Sequence, residues 1–158
     1  MDVVYKTEKA TFNYRVAGIW VKDGHVLLHR AVSDESWSLP GGRVAIGEES
    51  ALSIQREFIE ELDVSVEIER LVWFVENFFQ YNGIDIHEVG LYYLVKTEDE
   101  SMELNKEPFF GKEGERLIYK WTPVHDLEAI TLYPEFLRKA LQEIPGHPAH
   151  LVVKQKEV

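Results

Sequence analysis

The sequence predicts an α/β domain: a mixed sheet layered with helices. Three observations carry this. Two β-rich stretches are each broken by a Gly-containing turn signal, Asp23-Gly24 and Asn82-Gly83. One amphipathic helical stretch lies between them, and a second helical stretch lies near the C-terminal end. Strands and helices in this order pack as layers around a core. At 158 residues one domain is expected, residues 1–143, with residues 144–158 as a tail of unassigned role. A chain of this size removes roughly 68–70% of its unfolded surface from water, so it needs no staples.

The elements follow in order. "FNYRVAGIWVKDGHVLLHR" reads as strands at residues 14–21 and 25–30 around the Asp23-Gly24 turn. "SDESW" is a polar loop, followed by a Gly41-Gly42 segment and a helix at Ser50–Leu62. "VSVEIERLVWFVENFFQ" and "HEVGLYYLVKT" are β-branched and aromatic and flank Asn82-Gly83, as in an antiparallel pair. "EDESMELNKEPFFGKEGE" is a long acidic loop and "RLIYKWTPV" a further strand. Residues 126–130 suit a short helical turn. Pro134 suits the first turn of a helix running to about Glu143. Pro145, Gly146 and Pro148 stop that helix, and "HLVVK" fits an edge strand, a dimer contact or a mobile end.

Composition narrows the function. Without cysteine the chain has no disulfide, thiolate zinc site or cysteine nucleophile, which fits a cytoplasmic setting. "MDVVYKTEKATFNYR" lacks the basic start and apolar core of a signal peptide, and no uncharged run approaches the roughly 18 residues of a membrane span. The net charge of -11 disfavours nucleic acid polymers. A small phosphate ligand remains compatible, because a bound divalent cation reverses the local sign. The six histidines show no metal spacing beyond "HPAH", which Pro148 breaks, so they read as structural.

The helix 50–62 concentrates charge. At about 100° per residue, Ala51, Leu52, Ile54, Phe58, Ile59 and Leu62 form an apolar arc, opposite Ser53, Arg56, Glu57, Glu60 and Glu61. In open solvent such a face is unexceptional. Walled by other structure, two carboxylates about 6 Å apart repel by about 3 kcal/mol at an effective dielectric of about 20. Arg56 alone does not offset three acids. A hard divalent cation does, and Mg²⁺ commonly joins carboxylates to substrate phosphates. Gly41-Gly42, a plain turn in other contexts, here precedes the acidic helix and would let the main chain approach a ligand.

The segment resembles the signature of the Nudix hydrolases, Gly-x5-Glu-x7-Arg-Glu-U-x-Glu-Glu-x-Gly-U, with U apolar. Here it runs Gly42, five residues, Glu48, seven residues, then Arg56-Glu57-Phe58-Ile59-Glu60-Glu61-Leu62-Asp63-Val64. Only the final glycine differs, as Asp63, and aspartate tolerates the left-handed backbone needed at a helix exit. The resemblance, extended by the flanking elements to about residues 12–143, implies an α/β/α sandwich with a mixed sheet. It also implies hydrolysis of the diphosphate bond in a nucleoside diphosphate linked to a group X.

By the same resemblance, Mg²⁺, for which Mn²⁺ can substitute, falls to Glu57 and Glu61, then Glu60, with the Gly42 carbonyl contributing. Glu57 doubles as a candidate general base. Arg56 orients the glutamates, and Glu48 ties loop to helix or acts as a helix N-terminal acid. A further carboxylate is expected outside the motif: Glu88 first, then the acidic loop at residues 98–103. Arg30 and Arg43 bracket the phosphate site and are candidate clamps.

Tyr81, 17 positions past Val64, matches a tyrosine that dinucleoside polyphosphate hydrolases of the family often carry at about this distance; strand packing explains it equally. The proline typical of ADP-ribose pyrophosphatases in that region is missing. Trp37, Phe78, Phe79 and Tyr81 offer a stacking wall for a base, or core. The partner is therefore a small nucleotide, a nucleoside triphosphate or dinucleoside polyphosphate among the options, and a homodimer is compatible. The alternative is a non-catalytic nucleotide-binding or regulatory module on the same fold, although such modules usually lose the motif glutamates. An isopentenyl diphosphate isomerase would need a catalytic cysteine.

Overall fold

The structure is a computed structural model that describes residues 1–98 and 104–155. Among these residues nine strands join in one mixed sheet: β1 (Val4–Lys6), β2 (Ala10–Lys22), β3 (His25–Ala31), β4 (Gly41–Arg43), β5 (Glu67–Tyr81), β6 (Ile84–Lys96), β7 (Phe109–Phe110), β8 (Leu117–Pro123) and β9 (Ala149–Lys154). Their order is β7-β8-β3-β2-β6-β5-β9, with β1 and β4 also pairing β2. The β2–β6 and β5–β9 ladders are parallel and the others antiparallel.

Both turn signals act as read. Asp23-Gly24 and Asn82-Gly83 carry positive φ at both positions (49° and 74°, 52° and 76°), the requirement of the tight turn that matches strand twist. β2 meets β3 only at Val21↔Val26 and Lys22↔His25. Farther back along β2, residues Arg15 to Ala17 pair with β4. The long-range β3–β8 pair thus splays away from β2, whose earlier residues pair with β4 instead.

Alternation divides the core by sheet face. On one side Val16, Trp20, Leu27, Val95, Tyr119 and Trp121 pack with Ile54, Phe58 and Leu62 of helix α1 (Ser50–Leu62). On the other, Ile19, Val72, Trp73, Val75 and Tyr92 are covered by a 3-10 turn (Val124–Ala129), helix α2 (Leu137–Ala140) and Leu39.

Two readings of the chain change, and one left open is decided. The helix expected from Pro134 to about Glu143 is only α2. Leu137 and Arg138 N–H bond Pro134 and Glu135 carbonyls, and Gln142 N–H bonds Lys139 O, so i→i+3 turns replace α-bonds at both ends. Gly41-Gly42 is not a loop but β4. Of the placements open to "HLVVK", the structure has a strand, β9, on the sheet edge beside β5. No helix among the described residues is long and apolar enough to cross a membrane.

Candidate active site

Helix α1 rests on β2 and β4, and two glycines set how closely. A Cβ on Gly18 would collide with the Phe58 ring, and one on Gly42 would stand 2.5 Å from Glu57 Oε1. Neither Gly41 nor Gly42 has positive φ, so the reason for glycine is close approach rather than backbone freedom. Gly42 gives the Glu57 carboxylate a seat against the main chain.

This seating rotates the buried face of the helix away from the arc expected from sequence. Leu52 and Ile59 are 53% and 51% exposed, while Ser53, Ile54, Phe58, Glu61 and Leu62 are buried. One motif carboxylate therefore sits where an apolar side chain was expected. Glu61 is only 4% exposed, and its Oε2 has no hydrogen-bond partner. Burial, then the charge of Glu57, pushes its carboxyl up to about 8. Burial also raises Glu57, against the pull of Arg56. The Tyr119 hydroxyl faces Glu61, is itself buried without a well-formed hydrogen bond, and is raised by burial and by that carboxylate.

Arg56 organises the other acids. Its Nε and Nη2 donate to the two oxygens of Glu48 at 2.8 and 3.0 Å, a bidentate fork. Its Nη1 donates to Glu57 Oε1 and to Glu60 Oε2, both at 3.1 Å. Glu48 also accepts the Ala45 N–H, fastening loop to helix, and the Arg56 hydrogen bond holds it down at about 2. Glu60 is nearly half exposed, unlike Glu57 and Glu61.

The remaining candidates divide. Glu88 on β6 lies 3.7 Å from Arg15 Nε; burial raises its carboxyl, opposed by Arg15 and Arg43. Arg43 stands opposite Arg15 across the β2–β4 ladder, and its Nε is buried without a partner. Two like charges facing each other across strands repel, and Glu88 offsets one of them. Arg30 turns elsewhere: its Nη1 donates to the carbonyls of Ala31, Val32 and Asp34, and its guanidinium lies over Trp37 at 5.1 Å. Of the acidic loop at 98–103 only Glu98 is among the described residues, and it is exposed; the rest lies outside them.

Two residues escaped the sequence reading. Arg15 on β2 exerts its charge on Glu61, Glu88 and His29. Glu113 follows β7, where the Lys112 N–H bonds Glu61 O at 2.7 Å and a side chain on Gly111 would strike that carbonyl. The negative charge of Glu113 adds to the forces raising Glu57 and Glu61. No local pattern marks either residue; only the pairing of distant strands brings them in.

A cavity of about 1070 Å³ opens on the sheet face away from α1. Arg15 and Glu88 line it, and the charge of Arg15 also reaches Glu61. The motif glutamates themselves do not line it. Trp37, Phe79 and Tyr81 form part of its wall, whereas Phe78 points to the other face and packs on His87 at 4.5 Å. Strand alternation separates Phe78 from its neighbours. Among the described residues no three His, Asp or Glu side chains converge into a ready-made metal cage.

A family model described as the NUDIX domain matches residues 13–144. Solved structures share the fold. A Mutator MutT protein from Bacillus halodurans is 17% identical with a TM-score of 0.60, over 89% of each chain. A MutT NUDIX hydrolase from Burkholderia pseudomallei is 24% identical with a TM-score of 0.58, over 85% of this chain and 98% of that one. An ADP-ribose pyrophosphatase from Streptococcus suis is 15% identical with a TM-score of 0.55, over 89% and 98%. No curated protein matches the sequence.

Proposed function

The chain belongs to the NUDIX domain family, and from that premise we propose that it is a divalent-metal-dependent pyrophosphohydrolase of nucleoside diphosphates linked to a group X. The carrying observation is the pair Glu57 and Glu61. Two carboxylates share one walled site, one of them buried with an orphaned oxygen. Uncompensated buried acids are costly, and a divalent cation relieves both at once.

The donor set fits such an ion. Glu57 and Glu61 would hold it, Glu60 next, with the Gly42 carbonyl contributing. Mg²⁺ is commonly held by one or two carboxylates and completed by substrate phosphate oxygens. When bound, the ion would offset charge on the diphosphate and lower the pKa of water beside it.

The chain's own residues do the rest. Arg56 holds Glu57 and Glu60 in place and, through Glu48, locks the helix to its preceding loop. Arg15 and Arg43 supply positive charge toward the substrate's phosphates, Arg43 as a first clamp and Arg15 as a second. Glu57 is the candidate base for the attacking water; Glu113, whose charge reaches Glu57, and Glu88, beside Arg15, are the further candidates. The cavity beyond Arg15 and Glu88 takes the nucleoside or X, with Trp37, Phe79 and Tyr81 as stacking faces.

The test is a substrate panel of nucleoside triphosphates, nucleotide sugars, ADP-ribose and dinucleoside polyphosphates with Mg²⁺ or Mn²⁺. Phosphate release is read with and without added phosphatase. Metal-dependent turnover of at least one class is expected. Nucleotide binding without turnover of any class would favour a non-catalytic module.

A further inference from the structure

Residue 144 ends the family-matched span, yet the chain beyond it builds part of the cavity. Val153, Lys154 and Gln155 line it, carried there by the parallel pairing of β9 with β5. Gln155 extends that ladder by one bond, its N–H to Phe78 O at 2.9 Å. Its side-chain Nε2 then donates to Asn77 Oδ1 at 3.3 Å.

Asn77 is the most buried of the β5 residues that line the cavity, with Phe79, Gln80 and Tyr81 beyond it. It is buried, in a row where most neighbours on that face are apolar. A primary amide carries an acceptor and two donors. With Asn77 Oδ1 taken by Gln155, no hydrogen bond among the described residues uses Asn77 Nδ2 or Gln155 Oε1. Among the described residues the two N–H donors of Asn77 Nδ2 and the acceptor Gln155 Oε1 thus stay unused, both groups neutral, in a cavity whose wall also carries Trp37, Phe79 and Tyr81.

That combination suits one chemical class. Every nucleobase presents an adjacent donor and acceptor on a planar edge, and carboxamides pair with such edges in two-bond fashion. Aromatic side chains stack on the faces. A sugar phosphate or a bare polyphosphate has neither the plane nor the paired edge. We propose that the Asn77–Gln155 carboxamide pair, completed by the C-terminal strand, reads the hydrogen-bonding edge of the substrate's nucleobase. The tail is then a specificity element. The inference rests on the nucleotide-hydrolase reading for its substrate, but its binding step stands apart from catalysis.

The experiment compares wild type with Gln155→Ala, a substitution at the margin of the sheet, after thermal melts establish that both fold. Calorimetry measures binding of the four ordinary nucleoside 5′-monophosphates and of ribose 5-phosphate. Wild type should bind at least one nucleotide tenfold or more tightly than ribose 5-phosphate. Gln155→Ala should weaken that nucleotide about three- to tenfold, the loss of one hydrogen bond, and leave ribose 5-phosphate unchanged. In turnover, KM should rise by the same factor with kcat changed less than twofold, the mark of lost uniform binding. Equal nucleotide affinity in the two proteins, or ribose 5-phosphate binding as tightly as nucleotides, overturns the inference. Failure to hydrolyse any substrate, with binding still dependent on Gln155, removes the hydrolase reading and keeps this one.

Discussion

Glu57 owes its position to Gly42 and Arg56. Gly42 leaves the space that the Glu57 carboxylate fills, so Gly42→Ala must push that carboxylate off its seat. Displacement of a reacting group by about 1 Å commonly costs about a hundredfold in rate. Metal-dependent turnover of Gly42→Ala should fall by about that factor while the melting temperature stays within a few degrees. Turnover within threefold of wild type would show that the seat is dispensable. Arg56 makes a different demand. Its planar fork serves Glu48 with one edge and Glu57 and Glu60 with Nη1, and a lysine ammonium cannot reproduce that geometry. Arg56→Lys should lose about 1–3 kcal/mol of stability, read by urea denaturation, together with most activity. Unchanged stability would reduce Arg56 to a surface cation.

At the scale of elements, the end of α1 shows what local sequence can specify. Asp63 stands where the family has glycine, and it takes the left-handed conformation, φ 56° and ψ 37°, with its N–H on Ile59 O. An aspartate there carries a left-handed penalty and sets a negative charge at the negative end of the helix. Asp63→Gly should therefore stabilise the protein by about 0.5–1 kcal/mol without altering kcat, checked by thermal melts beside steady-state assays. A destabilised variant would mean that the aspartate side chain makes an unrecognised contact. The span of α1 and both Gly turns were legible because capping, periodicity and positive φ are local properties. The buried side of α1 was not. Its direction depends on where β2 and β4 offer glycines, which placed Glu61 inward and Leu52 outward. Nor did local pattern reveal β4, or that the acidic loop carries Glu113 back to α1, since both are held by partners far along the chain; the short β1, paired with the nearby β2, was missed as well. Arg30 reads like a clamp in sequence, yet its nearest carbonyls capture it.

For the molecule as a whole, assembling the site loads the fold with groups whose protonation opposes one another. Glu61 moves from 4.5 to about 8, so between those values the folded protein holds a proton that the unfolded chain has released. Stability must then fall as pH rises through that window. His29, buried beside Tyr119, moves from 6.5 down to about 4, first through burial and then through Arg15. Between those values the unfolded chain binds the extra proton, and stability rises with pH. From about pH 4.5 to 6.5 the two trends offset. Above 6.5 His29 contributes nothing further and the carboxylate trend stands alone, reinforced by the raised Glu57 and Glu88. In chelator, wild-type stability from urea denaturation should be nearly level from pH 5 to 6.5 and then drop by about 2 kcal/mol by pH 8. Glu61→Gln should rise over the acid range and lose most of the later drop. Millimolar Mg²⁺ should restore wild type near pH 8, because a ligand of the native state alone adds its binding free energy to folding, and should do little for Glu61→Gln. If the two proteins trace the same curve between pH 6.5 and 8, Glu61 is not the buried acid on which the proposed metal site rests.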